Sequence, residues 1–343
     1  MEITGGEQLA FFEAPPAPVP AFGEDPALDA VQAELERCDP TGDRVAGVLR
    51  DTLDQLYDGQ HTGRYSYDDL RKTEKTHMGT LVEINLQNRF EFGDGDVTDY
   101  RIAGHEVDCK YSMTWGSWEL PPEAENQLCL LLSARDAGSW WAAGLIRVRP
   151  EYLRERQNRD AKRQLATASL SRIRRLWPGH QRLTANLFLD LDPGTLSDIL
   201  GARAVRGHQH GQARTNELFR RVQGRIIRRS ELATVARQDD FMKRARGNGG
   251  ARTQLRADGI LVLGHQDRDP EVARALGLPV PRKGEFISAR VVPAGPAHGG
   301  PCAEIAGERW VLAGDGDPVV TAPAVPRLRR LPADAGFGNP GTA

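Results

Sequence analysis

The chain has 343 residues, 39% hydrophobic and 27% charged, with a net charge of −2. This exceeds one ordinary domain and suffices for two, each with its own core, in a composition typical of globular proteins. No apolar run approaches the roughly 20 residues needed to span a bilayer, which argues against a membrane role.

The opening MEITGGEQLAFFEAPPAP has neither a basic start nor a long apolar stretch nor a cleavage site, so the expected location is the cytoplasm. Cys38, Cys109, Cys129 and Cys302 are far apart and form no C-x-x-C pair. They read as free thiols of a reducing compartment rather than as a disulfide framework or zinc knuckle. The small net charge hides an opposition along the chain. Residues 1–60 carry thirteen acidic and three basic side chains, whereas residues 203–256 carry fourteen basic and four acidic ones. An excess of that size is the electrostatic footprint of a phosphate-binding surface, DNA or RNA.

In chain order, residues 1–26 are rich in Pro, Ala and Glu and read as a flexible leader. Leu28, Val31 and Leu35, then Val45, Val48, Leu49, Leu53 and Leu56, fall at helical spacing and predict two helices broken at Asp39-Pro40. Leu56-Tyr57-Asp58-Gly59 resembles the Lys-x-Asp-Gly core of DNA ligases with leucine at the nucleophile position. Leucine has no nucleophilic nitrogen, so no ligase activity is expected, and a helix end capped by Gly59 accounts for the segment. Met78, Leu81, Val82, Leu86 and Phe90 mark a further helix. Strand-like runs follow at 97–103, 105–113, 127–134 and 140–148. Residues 159–177, RDAKRQLATASLSRIRRLW, read as a long basic helix stopped by Pro178-Gly179. The expected organisation is a first domain at 27–176, a linker at 177–185, a second domain at 186–330 and a loose tail at 331–343. The first domain reads as an α/β unit with a central mixed sheet. The second has an arginine-rich helical middle and strand-like pieces at 259–264, 285–294 and 302–314.

The segment VTDYRIAGHEVDCKYS alternates about Ala103-Gly104, which can serve as a two-residue hairpin turn, although Asn-Gly would be a clearer signal. That turn sets Asp99 opposite Asp108, with Cβ atoms about 5 Å apart, where like charges destabilise a sheet unless something positive lies between them. Period-two alternation puts Asp108 and Lys110 on one face, with Val107, Cys109 and Tyr111 on the other. A surface ion pair explains a lone Asp-x-Lys. Paired acids also suit Mg²⁺, a hard cation that prefers carboxylate oxygen, with Lys110 positioning a water or steadying charge on a phosphodiester. Glu83 interrupts the apolar sequence Leu81-Val82-Glu83-Ile84, where a charge is costly unless paired, and it completes the candidate metal set Glu83, Asp99 and Asp108.

The runs DRVAGVLRDTLDQLYDGQ, KTEKTHMGTLVEINL, VDCK, HGQARTNELFRRV, QDDFMKR, LVLGHQD and GLPVPRKG resemble the NaeI family of type IIE restriction endonucleases, a likeness reaching from about Asp39 to Val325. The resemblance implies an N-terminal domain of the restriction-endonuclease fold with Glu83, Asp99, Asp108 and Lys110 as catalytic residues. It also implies a C-terminal helix-turn-helix α+β domain of the catabolite-activator type, binding a second copy of the recognition sequence as allosteric effector. Homodimeric action on double-stranded DNA at the palindrome GCCGGC, blunt ends with 5′-phosphates and a bacterial cytoplasm follow from the same likeness.

In the basic half, Leu218, Phe219, Val222, Ile226 and Ile227 predict one helix over 212–229. Ser230 then caps a second helix, and Asp239 or Asp240 a third beginning at Phe241. Three short helices suit a helix-turn-helix whose last helix enters the major groove. Lys243, Arg244 and Arg246 belong to that helix region, and Asn248 and Arg252 to the glycine-rich stretch after it. Arg206, His208 and Arg214 lie in a loop entering a helix N-terminus, another natural phosphate site. The histidines lack further zinc ligands nearby. Trp115 and Trp118 are expected to pack rather than to touch DNA. Two other readings stay open: a helix-turn-helix regulator with a structural first domain, and a repair or nicking nuclease on the same scaffold.

Overall fold

A computed structural model describes residues 25–204, 210–296 and 298–327. In chain order its helices and strands are α1 (Pro26–Cys38), α2 (Asp43–Tyr57), α3 (Gly59–Thr62), α4 (Lys72–Phe90), β1 (Gly93–Asp94), β2 (Tyr100–Ile102), β3 (His105–Ser112), β4 (Leu128–Arg135), β5 (Trp140–Arg147), β6 (Leu153–Gln157), β7 (Arg163–Leu165) and β8 (Arg174–Leu176). Then follow α5 (Leu187–Asp190), α6 (Pro193–Gly201), α7 (His210–Arg221), α8 (Arg229–Ala236), α9 (Phe241–Ala245), α10 (Ala251–Gln254), β9 (Ile260–Leu263), α11 (Asp269–Ala275), β10 (Ile287–Pro293), β11 (Cys302–Ile305) and β12 (Glu308–Leu312). No helix among these residues is long and apolar enough to cross a membrane.

The described residues form two compact units, those within 1–52 and 76–184 and those within 53–75 and 185–343. The expected first domain at 27–176 ran unbroken through 53–75, which cluster instead with the second unit. The division between the units, after Thr184, falls inside the expected linker at 177–185, within which two residues are nonetheless buried. Trp177 is buried and donates to Asp39 O at 2.6 Å, and Leu183 is buried with its N–H on Ser139 O. The expected leader also stops short, because Asp25 caps α1 through a 3.1 Å bond from Leu28 N and Pro26 opens the helix. The residues before Asp25 and the expected tail at 331–343 lie outside the described residues.

The first unit is mixed α/β around a six-stranded sheet of order β1-β2-β3-β4-β5-β8. Neighbours are antiparallel except β3 and β4, which run parallel. Central β4 is buried along nearly its whole length, which accounts for its unbroken apolar run. Cys129 and Leu131 pack with Trp118, Ile146, Val148, Leu165 and Ile173 in one core. The long basic helix expected at 159–177 is absent. Arg163–Leu165 pairs with β6, and Arg174–Leu176 pairs with the edge of β5, matching Leu176 to Ala143. The open edge of β5 and the burial of Leu165, Ile173 and Leu176 outweigh the local helical spacing. Trp118 is core and Trp115 stacks edge-on against it at 4.7 Å, so both pack, as expected.

In the second unit, α7, α8 and α9 surround a cluster that includes Leu218, Phe219, Leu232, Val235 and Phe241. A four-stranded antiparallel sheet, β11-β12-β10-β9, follows. Strand β9 feeds two cores by alternation. Ile260 and Val262 join the helical cluster, while Leu261 and Leu263 join a second cluster with Val272 of α11 and Trp310. The helix expected over 212–229 ends at Arg221, because Ile227 leaves it to form a bridge with Phe286. Ser230 does not cap α8. Its hydroxyl donates to Asp54 Oδ2 at 2.8 Å, and Glu231 accepts the Arg228 N–H at the helix start. Gly59 is not the helix cap either. Asp58 takes the left-handed conformation, and Gly59 is needed for close approach, since a Cβ there would lie 2.0 Å from Thr234 Oγ1.

Candidate active site

The hairpin expected at Ala103-Gly104 is present, with φ of 49° and 82° and the pairs Ile102↔His105, Arg101↔Glu106 and Tyr100↔Val107. Asp99 is one residue beyond the last paired rung, in line with Asp108. It stays there because its own Oδ2 accepts the Cys109 N–H at 2.7 Å, so a side chain replaces the backbone partner the strand lacks.

Lys110 supplies the positive charge between the acids. Its Nζ lies 2.7 Å from Asp108 Oδ1 and 3.5 Å from Asp99 Oδ2, and it also donates to Cys109 O at 2.9 Å. Asp108 is buried and Lys110 half-buried, so solvent screens the pair little. Burial pushes the Asp108 carboxyl up to about 6 against the pull of Lys110, and Asp99 adds to the rise. Burial alone would lower the Lys110 ammonium, but Asp108 and then Asp99 reverse that and hold it above its ordinary value. The site keeps its lysine charged.

Glu83, on α4, is half-buried, and no hydrogen bond to its carboxylate exists among the described residues. Its pKa is raised first by burial and then by Asp99 and Asp108, with Lys110 opposing, which places it within electrostatic reach of both aspartates. Tyr100 ties the helix to the hairpin, its hydroxyl donating to Glu83 O at 2.7 Å.

As they stand, no three His, Cys, Asp or Glu side chains among the described residues group tightly enough to enclose a metal ion. The donor set is nonetheless that of a hard cation: two carboxylates converging on one positive charge, and a third without a hydrogen bond. Carboxylates beside an ammonium suit chemistry on a phosphodiester, and here Asp108 and Asp99 are both turned to Lys110.

Two residues outside the sequence expectation belong to this neighbourhood. The buried Cys129 thiol lies 3.6 Å from Asp108 Oδ2, on the rung of β4 paired with Asp108. Glu106 precedes Asp108 by two and therefore shares its face of β3, reaching the loop ahead of Asp99. Period-two counting backwards from Asp108 carries the signal for Glu106. Nothing local marks Cys129, which arrives from another strand.

The described residues of the second unit expected to meet DNA separate into three groups. Lys243, Arg246 and Asn248 are exposed on and just after α9. Arg244 is half-buried and paired with Asp240 at 2.5 Å, and Arg252 is paired with Asp269. Arg214 does not match the expected surface contact. It is buried, and its guanidinium donates to Val235 O at 2.6 Å and Ala236 O at 2.8 Å, closing the carbonyl end of α8. Arg206 and His208 lie outside the described residues. His210 Nδ1 accepts the Ala204 N–H at 3.2 Å.

Residues 29–321 match the family described as Restriction endonuclease NaeI. The chain is also similar to the Type II restriction enzyme NaeI of Lentzea aerocolonigenes, with 59% identity over 304 residues, covering 88% of this chain and 95% of that protein. Given a match over most of its length, the chain belongs to the NaeI family of restriction endonucleases.

Proposed function

We propose that the chain is a Mg²⁺-dependent, site-specific endonuclease for double-stranded DNA, with Glu83, Asp99 and Asp108 as the metal-binding acids and Lys110 as the catalytic cation. The observation that carries this reading is the Lys110 ammonium between Asp108 and Asp99, at 2.7 and 3.5 Å, on the strand pair that begins the central sheet. When bound, Mg²⁺ supplies Lewis-acid polarisation of a phosphate oxygen and a more acidic water. The chain's own residues do the rest. Asp108 orients the site from β3 and Asp99 from the loop just before β2, where it is held by the Cys109 N–H. Lys110, kept protonated by its neighbours, offsets the negative charge that grows on the phosphorus oxygens as the bond to the leaving group breaks.

The second unit is the DNA-binding, effector part of this reading. In this reading α8 and α9, separated by Arg237 in the left-handed conformation, are the candidate helix-turn-helix, and its catabolite-activator type is carried by the family likeness. Lys243, Arg246 and Asn248 face solvent to meet DNA, with Arg244 and Arg252 beside them. The family likeness supports a homodimer, the palindrome GCCGGC, and activation by a second DNA copy.

The test is incubation with a plasmid carrying several GCCGGC sites, in Mg²⁺ or in EDTA, followed by sequencing of the ends. Mg²⁺-dependent double-strand breaks within that palindrome are expected, faster on a multi-site than on a single-site plasmid. Intact plasmid in Mg²⁺ at every salt concentration sinks the reading. Tight binding without breakage points instead to a regulator, and single-strand nicks to a nicking nuclease.

A further inference from the structure

The loop between β1 and β2 presents Asp99, yet its residues 96–99 belong to no helix or strand. One side chain organises it. Glu106 Oε1 accepts the Asp96 N–H at 2.9 Å, and Oε2 accepts the Val97 N–H at 3.1 Å, the Thr98 N–H at 3.0 Å and the Thr98 hydroxyl at 2.9 Å. Arg101, opposite Glu106 in the hairpin, closes the arrangement by donating to Oε1 at 2.8 Å and to Asp96 at 2.5 Å. Three consecutive backbone donors are thus gathered by one carboxylate immediately before the residue that must reach Lys110.

The packing leaves no slack on the other side of the loop. A Cβ at Gly95 would lie 2.2 Å from Thr98 O and 2.7 Å from Glu106 Oε2, so only glycine fits where the chain folds back on the carboxylate. Glu106, Asp108 and Lys110 follow one another at two-residue spacing on β3. One face of a single strand therefore carries the loop anchor and the site.

We propose that Glu106 is a positioning residue: by collecting the N–H groups of Asp96, Val97 and Thr98, it fixes the loop that sets Asp99 against Lys110 and Asp108. This rests on the proposed role of those three residues. The partners of the Glu106 carboxylate are the loop and Arg101. Glu106 acts through Asp99, which has a single backbone tether of its own, the Cys109 N–H. A carboxylate is suited to the task because it accepts at both oxygens without donating, while an amide of the same shape presents N–H groups to N–H groups.

The test compares full-length wild type with Glu106→Gln, Gly95→Ala and Asp108→Asn. Glu106→Gln is expected to lower kcat by about tenfold or more, since misplacement by about 1 Å can cost a hundredfold, with KM for DNA within about twofold. Calorimetric affinity for Ca²⁺, which requires no turnover, is expected to fall by about fivefold. Amide hydrogen exchange at residues 96–98 is expected to quicken while exchange in the rest of β3 stays as in wild type. Gly95→Ala, which disturbs the same loop from the opposite side, is expected to give the same signature. Unchanged kcat and Ca²⁺ affinity in Glu106→Gln, alongside an inactive Asp108→Asn, overturn the inference alone. Wild-type cleavage by Asp108→Asn overturns it together with the proposed active site. A uniform loss of protection across β3, with apparent kcat falling only in proportion to the folded fraction while KM and the Ca²⁺ affinity of the folded protein stay as in wild type, also overturns it by reducing Glu106 to a general fold contact.

Discussion

Lys110 Nζ lies 2.7 Å from Asp108 Oδ1, on the same strand and two residues away, so the cation and its nearest acid are held by one backbone segment. Removing the ammonium leaves two carboxylates facing each other. Lys110→Met is expected to lower stability without added metal by about 1–3 kcal/mol, the usual cost of stranding a buried polar partner. Millimolar Ca²⁺ is expected to raise the unfolding temperature more in Lys110→Met than in wild type, because the ion no longer competes with the lysine. Thermal scans in EDTA and in Ca²⁺ check this. No Ca²⁺-dependent shift in either protein would count against a cation site at these acids.

Arg50 and Asp136 are paired with both side chains 2% exposed, joining α2 to the turn after β4. Asp136→Ala leaves a guanidinium in a dry environment and is expected to destabilise by about 3–5 kcal/mol. The double variant Arg50→Met/Asp136→Leu should lose less than that single change, because it buries no unpaired charge. Denaturant titrations of the three proteins rank them, and a double variant worse than the single would contradict the argument.

Asp25 accepts two bonds from Arg147, at 2.6 and 2.9 Å. The Arg147 bonds, aided by the Leu28 N–H and opposed by burial, hold its carboxyl down at about 2, below its usual 3.8. A depressed folded-state pKa contributes stability above the unfolded value, and that contribution fades as pH falls through the folded one. Asn still caps the helix but loses the charge, so Asp25→Asn is expected to cost about 1 kcal/mol at pH 7. The difference from wild type should shrink between pH 4 and pH 2. Equal differences at pH 7 and pH 2.5 would refute it.

Lys243 and Arg246 are exposed, whereas Arg214 is buried against the end of α8. Lys243→Ala and Arg246→Ala should each weaken DNA binding with little regard to sequence and reduce the slope of log K against log salt by about 1. Arg214→Ala should instead lower the unfolding temperature, as the carbonyls of Val235 and Ala236 lose their donor. Binding isotherms at several salt concentrations, paired with thermal scans, separate the two behaviours. A changed salt slope in well-folded Arg214→Ala would place that residue back on the DNA surface.

Alternation and turn chemistry carried much of the site. Ala103-Gly104 was a weak turn signal, yet the two-residue hairpin it implies brought Asp99 into line with Asp108, and period two placed Lys110 beside them. Helical spacing likewise located α1, α2 and α4, because each buries a stripe that needs only its own residues to be recognised. The failures share a different cause. Residues 159–177 have helical spacing but meet strand partners, and Arg214 has the chemistry of a phosphate ligand but meets the carbonyl end of a helix.

What the amino-acid order determined by itself is the set of local patterns: amphipathic helices, the alternating strands, the acid–lysine face of β3 and the basic stretch beyond residue 203. The tertiary structure decided which charges are spent on the fold and which remain available. Arg214 and Arg252 are taken up by carbonyls and by Asp269, whereas Lys243 and Arg246 stay in solvent. It also decided that Cys129 underlies Asp108 and that Glu106 gathers the loop before Asp99. The physical reason is range. Side-chain periodicity acts over a few residues, while burial and hydrogen-bond partnership depend on segments that only folding brings together.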